Sequence, residues 1–411
     1  MRLHGHAALL LAAGAAALAA APAAAQQRTT IQRATVTGSV TRPGRRPFEE
    51  SLLRRLRVPR GFAVSIFASG LGHPRMMTVA DDGTVYVTRR DSGDVLALAD
   101  TNRDGRADRV KQVIAELPHV HGIAVRDYRL YLATDTAVFS VPLRGDTAAG
   151  DPWRLVGGLP DGGQHGNRTL AFGPDGMLYL SIGSSCNACV ETNREHATML
   201  RMAADGARRT VFARGLRNTV GWGWDPETKA LWGMDHGTDW RGDDIPPEEL
   251  NRLEEGGHYG WPYCYGAQRV DTRFPQDPPD TTKAAFCGTT KAPTLTYQAH
   301  SAPVGFLFYA GAQFPAEYRG DAFVAMRGSW NRRVPTGYKV VRVRFDEGKP
   351  VAFEDFLTGF LLEGRESYFA RPAGLAVARD GALLISDDEG GLIYRVAYTG
   401  APAAERRRSD R

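Results

Sequence analysis

The stretch from Gly163 to Ile182, GQHGNRTLAFGPDGMLYLSI, decides the reading of the fold. It sets His165 in a glycine-flanked loop, alternates Thr169 and Ala171 against Leu170 and Phe172, turns at Pro174-Asp175-Gly176 and returns along Leu178-Tyr179-Leu180. Period-two alternation on both sides of a tight turn is the pattern of a β-hairpin. His165 therefore stands at the entrance of one. The same order recurs along the chain: a polar loop residue, a short apolar strand, an Asp-Gly type of turn, then a second strand. Recurrence of one supersecondary unit marks a repeat architecture.

Six such units are read outward from this hairpin, over residues 62–98, 110–143, 153–202, 207–237, 295–345 and 353–398. Each holds roughly four short strands with little helix between them. The predicted fold is all-β, a six-bladed β-propeller of four-stranded antiparallel blades, in which radial repetition leaves only short sheet edges. A β-sandwich is the alternative, but it does not explain why the polar loop residue returns at the same phase in every unit. The domain boundaries expected are a signal peptide over 1–25, a disordered basic N-terminal tail over 26–60, the propeller over 61–400 and a disordered tail over 401–411. SLLRRLRV, within the N-terminal tail, reads as a short helix.

The first residues combine a basic start, an alanine-leucine run and small residues at Ala23 and Ala25, the pattern of a cleaved secretory signal. After cleavage no transmembrane segment is expected, and the protein is read as periplasmic or secreted. Charge distribution excludes another class. Residues 1–60 carry ten arginines against two glutamates, and residues 401–411 four arginines against one glutamate and one aspartate. The formal +5 of the chain thus leaves the body between them five charges negative. A nucleic-acid surface needs basic residues on the fold itself, so no nucleic-acid partner is expected.

Four cysteines in an exported chain suggest two disulfides with three possible connectivities. Local pairing, Cys186 with Cys189 and Cys264 with Cys287, is the economical arrangement. The hairpin context speaks against a thioredoxin-like role for the CNAC pair, and no second CxxC or spaced histidine pair supports zinc.

The recurring loop position carries the functional argument. In order it holds His73 with Arg75, His119 with His121, His165 with Asn167 and Arg168, Arg217 with Asn218, His300 with Ser301, and Arg371. Equivalent positions of all blades converge on one end of a propeller's channel. Any single histidine there reads as a hydrogen-bonded turn residue, but turns favour Gly, Asn and Asp, so the set points to a funnel of histidines and arginines. Such a funnel suits an anionic ligand held by charge-assisted hydrogen bonds, with a neutral imidazole as base. A nucleophile mechanism lacks its parts, since there is no G-x-S-x-G elbow.

Two segments read as cation sites. Asp100, Asn102, Asp104, Gly105 and Asp108 in DTNRDGRAD match the front of a calcium loop, although Lys111 stands where a bidentate glutamate would close it. The loop is either a structural Ca²⁺ site or a solvated acidic turn. In the second, 234–262, His236-Gly237-Thr238 ends an inner strand, where backbone carbonyls can meet a hard cation. Asp243, Asp244, Glu248 and Glu249 beside it read as exposed acids at a helix start.

At this point the residues resemble a family, the soluble pyrroloquinoline quinone (PQQ)-dependent sugar dehydrogenases, six-bladed propellers related to soluble glucose dehydrogenase and to sorbosone dehydrogenase-like proteins. The motifs that carry the resemblance are QHGNRTLAFGPDGMLYLSIG, GLRNTVGWGWDP, DHG followed by EELNRLEEGGHYGWP, and RPAGLAVARDGALLISDD, between Phe62 and Tyr398. MRGSWNRRVPTGYKVVRV looks like the sorbosone-type branch.

The resemblance implies His165 as the general base and Arg217 beside the quinone oxygen. It implies Asn218, Arg371 and either Arg327 or Arg332 as cofactor contacts, and His121 as a sugar contact. The carbonyls of Gly237 and Thr238 match those that hold the family's Ca²⁺. Two departures stand out: Ser184-Ser185 and the cysteine pair follow Ile182-Gly183 where the glucose branch has an acidic residue, and threonine replaces proline after Gly237.

The function expected is an exported quinoprotein dehydrogenase that oxidises an aldose or related sugar by hydride transfer to PQQ. Without a CxxCH haem motif, electrons must leave to an external acceptor, a cytochrome or the quinone pool. The alternative on the same scaffold is a Ca²⁺-dependent lactone or ester hydrolase, whose metal would need Glu, Asn and Asp side chains in the funnel. A non-catalytic propeller would instead show an aromatic face, for which Trp222, Trp240, Trp261 and Trp330 are the candidates.

Overall fold

The computed structural model describes residues 37–161 and 163–400. They form six antiparallel sheets arranged as the blades of a propeller. Blade one is Met77–Val79, Val85–Arg89, Asp94–Ala99 and Arg109–Ile114. Blade two is Gly122–Arg126, Arg129–Ala133 and Val138–Arg144, its outer edge shared by Thr147–Ala148 and Trp153–Val156. Blade three holds the hairpin Leu170–Phe172 and Leu178–Ile182, then Thr198–Met202 and Thr210–Arg214.

Gly221–Trp224, Leu231–Asp235, Glu248–Leu253 and Leu295–Tyr297 make blade four. Pro303–Phe308, Ala322–Met326, Lys339–Asp346 and Lys349–Leu357 make blade five. Blade six takes Pro372–Val377, Leu383–Asp387 and Leu392–Tyr398 from the end of the chain and Phe62–Ala68 from its start.

This closure corrects the repeat boundaries read from the sequence, which lie one strand early. Arg109–Ile114, Thr210–Arg214 and Lys349–Leu357 are the outer strands of the blades before them, not the first strands of the next. A periodic sequence fixes the length of the unit but not its origin; the pairing of Phe62 with Tyr398 fixes the origin.

The apolar sides of the strands meet between blades. Tyr179, Met199 and Leu216 pack against Trp222, Leu231 and Leu253 between blades three and four. Phe67, Val85 and Val87 pack with Leu384 and Ile393 across the seam of six and one. Truncating one such buried side chain costs about 2–5 kcal/mol, so each blade is held by its neighbours. The ring is tight at its centre, where a Cβ on Gly305 would lie 2.3 Å from the Ala373 carbonyl of the next blade.

The expected disordered tail over 26–60 is corrected for its second half. Gly44–Arg45 pairs in parallel with Ser367–Tyr368, and Glu50–Arg55 forms a 3₁₀ helix. Phe48, Leu52, Leu53 and Val58 pack on the core between blades five and six, which offsets the entropy of ordering this segment. The signal peptide over 1–25 and the tail over 401–411 lie outside the described residues.

Both disulfides are formed as expected, Cys186–Cys189 and Cys264–Cys287. The second braces the insertion between the third and fourth strands of blade four. That insertion runs beside the outer strand of blade three, with Gly256 donating to the Phe212 carbonyl, Tyr259 to Arg214 and Trp261 to Gly215.

Candidate functional site

Antiparallel strands send the loops entering each innermost strand, and those joining each second strand to its third, to the same end of the ring. Three cavities of about 370, 220 and 410 Å³ adjoin there. The first and second share Gln164, the first and third Arg327, and the second and third Trp330.

His165 lines the middle cavity. Its Nδ1 lies 2.8 Å from Ser184 Oγ and 3.1 Å from the Ser184 carbonyl. The Ser184 hydroxyl spends its proton on the Cys186 carbonyl at 2.6 Å, so Oγ accepts and Nδ1 carries the hydrogen. Nε2 is left with the bare lone pair, the form a base requires. Burial, with Arg217 and His236 nearby, pushes the imidazole down to about 2. Arg168, fully buried, holds the loop by donating to the carbonyls of His165 at 2.7 Å and Pro160 at 3.0 Å.

Across from His165, Arg217 is buried and its direction is fixed. Nε donates to the Asn187 carbonyl at 3.0 Å, and Nη2 to Asn187 Oδ1 and Asp239 Oδ2 at 2.8 Å each. Among the described residues Nη1 has no partner in these contacts. Asp235, at the end of the second strand of blade four, accepts from the amides of Arg217 and Asn218 and from the Thr219 hydroxyl. Burial still pushes Asp235 up to about 6. Asn218 lines the cavity beside Arg217.

The second group of arginines gathers at the seam. Arg327 pairs with Asp388 at 2.8 Å and Glu389 at 3.1 Å. Arg371 pairs with Glu389 at 3.1 Å and donates to the carbonyls of Arg327 and Gly328, while Arg75 pairs with Asp388. Burial pushes Asp388 up, but Arg75 and Arg327 outweigh it and hold the carboxyl below its ordinary value. Three guanidinium groups against two carboxylates leave the cluster net positive. Arg42 and Pro43 of the N-terminal segment share the outer cavity with Arg327 and Arg371. Arg332 is turned instead to the Asp243 carbonyl and Asp244 Oδ1, so Arg327 is the one of the two that lines the cavities.

Gly237 lines the middle cavity and, with Thr238, the pocket behind it. The Gly237 amide donates to Glu248 Oε2 at 3.0 Å, whereas among the described residues neither the Gly237 nor the Thr238 carbonyl accepts a loop hydrogen bond. Glu248 and Glu249 correct the sequence expectation: both are buried on the third strand of blade four. Burial pushes Glu248 up to about 7 against the pull of the Ala302 and Gly237 amides.

Other expected residues stand apart. His121 is fully buried beneath Arg75, donating from Nδ1 to the Arg168 carbonyl at 3.1 Å and accepting Arg75 Nε at Nε2. It is not brought to the cavity surface. His73 lines the first cavity, His300 the middle one, and His119 faces solvent. Trp240 and Trp330 stack edge to face at 5.2 Å, while Trp222 and Trp261 are core residues.

DTNRDGRAD lies at the opposite end of the ring, in a cleft between blades one and six. Asp100 there accepts from the amides of Asp104 and Gly105, and Asp108 from Thr101 and Asn102. Asp100, Asp104 and Asp108 do not bring three carboxylate oxygens within 4.8 Å of one another.

Sequence reasoning missed Asp235, Asp239, Asn187 and Asn331, which donates to Asp239 Oδ1 at 2.6 Å. The signal for Asp235 was present: Asp387 ends the second strand of blade six in the same way and accepts the Arg371 amide at 2.9 Å.

The fold and the site define a class: a six-bladed propeller with a net-positive funnel, an oriented neutral histidine and, among the described residues, two cavity-side backbone carbonyls that accept no loop hydrogen bond. The chain matches the TrAA12-like family over residues 56–399, and it belongs to that family. An uncharacterized protein of Borreliella burgdorferi is 30% identical over 366 residues, 85% of this chain and 92% of that one. A protein of Coprinopsis cinerea named pyrroloquinoline quinone-dependent pyranose dehydrogenase is 25% identical over 422 residues, 85% of this chain and 56% of that one. The holo form of the pyranose dehydrogenase PQQ domain from Coprinopsis cinerea superposes with a TM-score of 0.71 at 24% identity, covering 86% of this chain and 98% of that one.

Proposed function

We propose that this protein is an exported PQQ-dependent dehydrogenase that oxidises an aldose or related sugar and passes the electrons to an external acceptor. The observation that carries the reading is the pairing of a neutral histidine, bare at Nε2, with a net-positive wall in one funnel. The residues fit the cofactor. PQQ is a planar tricarboxylate, and Arg327, Arg371, Asn218 and Arg217 Nη1 offer donors for its anionic edges. The Gly237 and Thr238 carbonyls offer hard oxygen ligands for Ca²⁺.

When bound, PQQ supplies the two-electron acceptor for hydride, which no side chain can supply. His165 takes the sugar hydroxyl proton at Nε2, and the Ser184 contact at Nδ1 stabilises the imidazolium that results. Arg217, held by Asn187 and Asp239, presents a fixed positive charge where negative charge develops. Asp239 and Glu248 give the hydrolase alternative some of the carboxylates it needs, but the family match weighs for the dehydrogenase.

Export is supported by two disulfides. Among the described residues no helix is long and apolar enough to cross a membrane.

The test is to titrate purified protein with PQQ and Ca²⁺ by absorbance, then to follow reduction of a dye acceptor across a panel of sugars. Saturable binding and sugar-dependent reduction are expected. The absence of both a spectral change and dye reduction with every sugar would overturn the proposal.

A further inference from the structure

The segment between the second and third strands of blade three begins Gly183-Ser184-Ser185-Cys186-Asn187-Ala188-Cys189, where this chain departs from the glucose-branch pattern. Among the described residues the segment makes no ladder with a neighbouring strand, yet nearly every polar group at its start is spent on the site. Ser184 orients His165 through its hydroxyl and carbonyl, and its amide donates to the Arg217 carbonyl at 2.8 Å. The Ser185 carbonyl accepts the amide of Gln164, next to His165, at 2.9 Å. Asn187 uses its backbone carbonyl and both side-chain polar atoms. It accepts Arg217 Nε and Nη2, accepts the Asp239 amide at 2.8 Å and donates to the Asp239 carbonyl at 3.2 Å. Ser185 in turn is clamped by Glu191, from its amide and its hydroxyl, at 2.7 Å each.

A free loop doing this would lose conformational entropy for every bond it makes. The Cys186–Cys189 bridge closes the loop around Asn187 and Ala188, so much of that entropy is removed before the contacts form. The bridge therefore stiffens a single loop that touches both groups, Ser184 meeting His165 at the entrance of blade three and Asn187 meeting Arg217 at the entrance of blade four.

We propose that the Ser184–Cys189 loop is the positioning element of the site: Ser184 sets which nitrogen of His165 is bare, Asn187 sets where Arg217 points, and the Cys186–Cys189 disulfide holds the two settings together. Asn187 and Ser184 are positioning residues, since each acts through another side chain. The inference rests on the dehydrogenase reading for its kinetic consequence but not for its geometric one.

Three variants test it: Asn187→Ala, Ser184→Ala and the double variant C186S/C189S, which leaves Cys264–Cys287 intact. In PQQ- and Ca²⁺-loaded protein, kcat per bound cofactor should fall roughly 10- to 100-fold while KM for the sugar stays within about twofold, the pattern of a misaligned reacting pair. Ser184→Thr, which keeps the hydroxyl, should restore most of the loss. A merely structural loop would lower Tm and the active fraction without changing kcat per bound cofactor.

A second readout needs no activity. In the unloaded protein the Nδ1 proton of His165 should be a protected resonance by NMR, and it should exchange faster by roughly fivefold or more in Ser184→Ala and in the double variant. Unchanged exchange in both overturns the inference. If the wild-type protein reduces no dye with any sugar, the dehydrogenase reading fails and the exchange experiment alone decides the positioning role.

Discussion

Gly183→Ala is the most economical way to disturb the site without touching a reacting group. Gly183 does not lie in the left-handed region of backbone space, so alanine brings no conformational strain and the effect is purely steric. Its Cβ would sit 2.5 Å from His165 Cβ, 2.8 Å from the His165 carbonyl oxygen and 2.9 Å from Asn218 Oδ1. Carbon atoms in good contact are about 3.5–4.0 Å apart, so one partner must retreat by about 1 Å. Neither backbone yields easily: Arg168 holds the His165 carbonyl at 2.7 Å, and His196 donates to the Gly183 carbonyl at 3.0 Å.

Overpacking of this kind costs about 1–3 kcal/mol, a fall of a few degrees in Tm. A displacement of about 1 Å at the reacting group costs on the order of 10²-fold in rate. Thermal unfolding and steady-state turnover of loaded protein read the two effects separately. Turnover within about twofold of wild type, with Tm unchanged, would refute the packing of His165 described above.

His165→Ala should leave PQQ titration intact and lower turnover about 10²–10⁴-fold, the range for loss of a positioned base. Because burial holds the His165 pKa down to about 2, the base stays neutral through ordinary pH. kcat/KM should not fall between pH 7 and 6; a fall there that disappears in His165→Ala would count against this. His121 is also held low, at about 3, chiefly by burial, so its stabilising contribution is complete above about pH 6.5 and is lost as pH falls toward 3. By pH 5 that amounts to about 2 kcal/mol, and denaturant melts of His121→Gln should show a correspondingly flatter acid slope. Arg371→Ala should weaken PQQ binding by about 1.5–3 kcal/mol, read by absorbance titration, and unchanged affinity would remove Arg371 from the cofactor site.

The ring of six blades was legible because strand periodicity and turn residues are local properties, repeated often enough for one misread unit not to matter. The origin of the repeat was not legible, because the pairing of Phe62–Ala68 with Leu392–Tyr398 has no local signature. Of the side chains named at the repeated loop position, His165, Arg217, Asn218 and Arg371 line the cavities. The carboxylates that hold them were misread or missed, because an acid such as Glu248 has the same letter whether it is solvated at a helix start or buried under two amides. His121 shows the converse. Its place in the repeat matches the others, yet Arg75 lies over it and takes the position nearer the cavity.

The last blade has a consequence for how the molecule comes into being. Its outer strand is made early and its other three strands last, so the ring stays open until the final residues of the propeller are available, a contact between distant parts of the chain that forms slowly. The seam is also where Arg75 of blade one meets Asp388 of blade six and where Arg327 and Arg371 are gathered. A nascent or C-terminally clipped chain that ends before blade six keeps Arg75 and Arg327 but lacks Arg371 and the two carboxylates, Asp388 and Glu389, that hold the arginines in place. Closure of the ring and assembly of the seam cluster are thereby one event: the step that seals the fold also brings the three arginines and two carboxylates together.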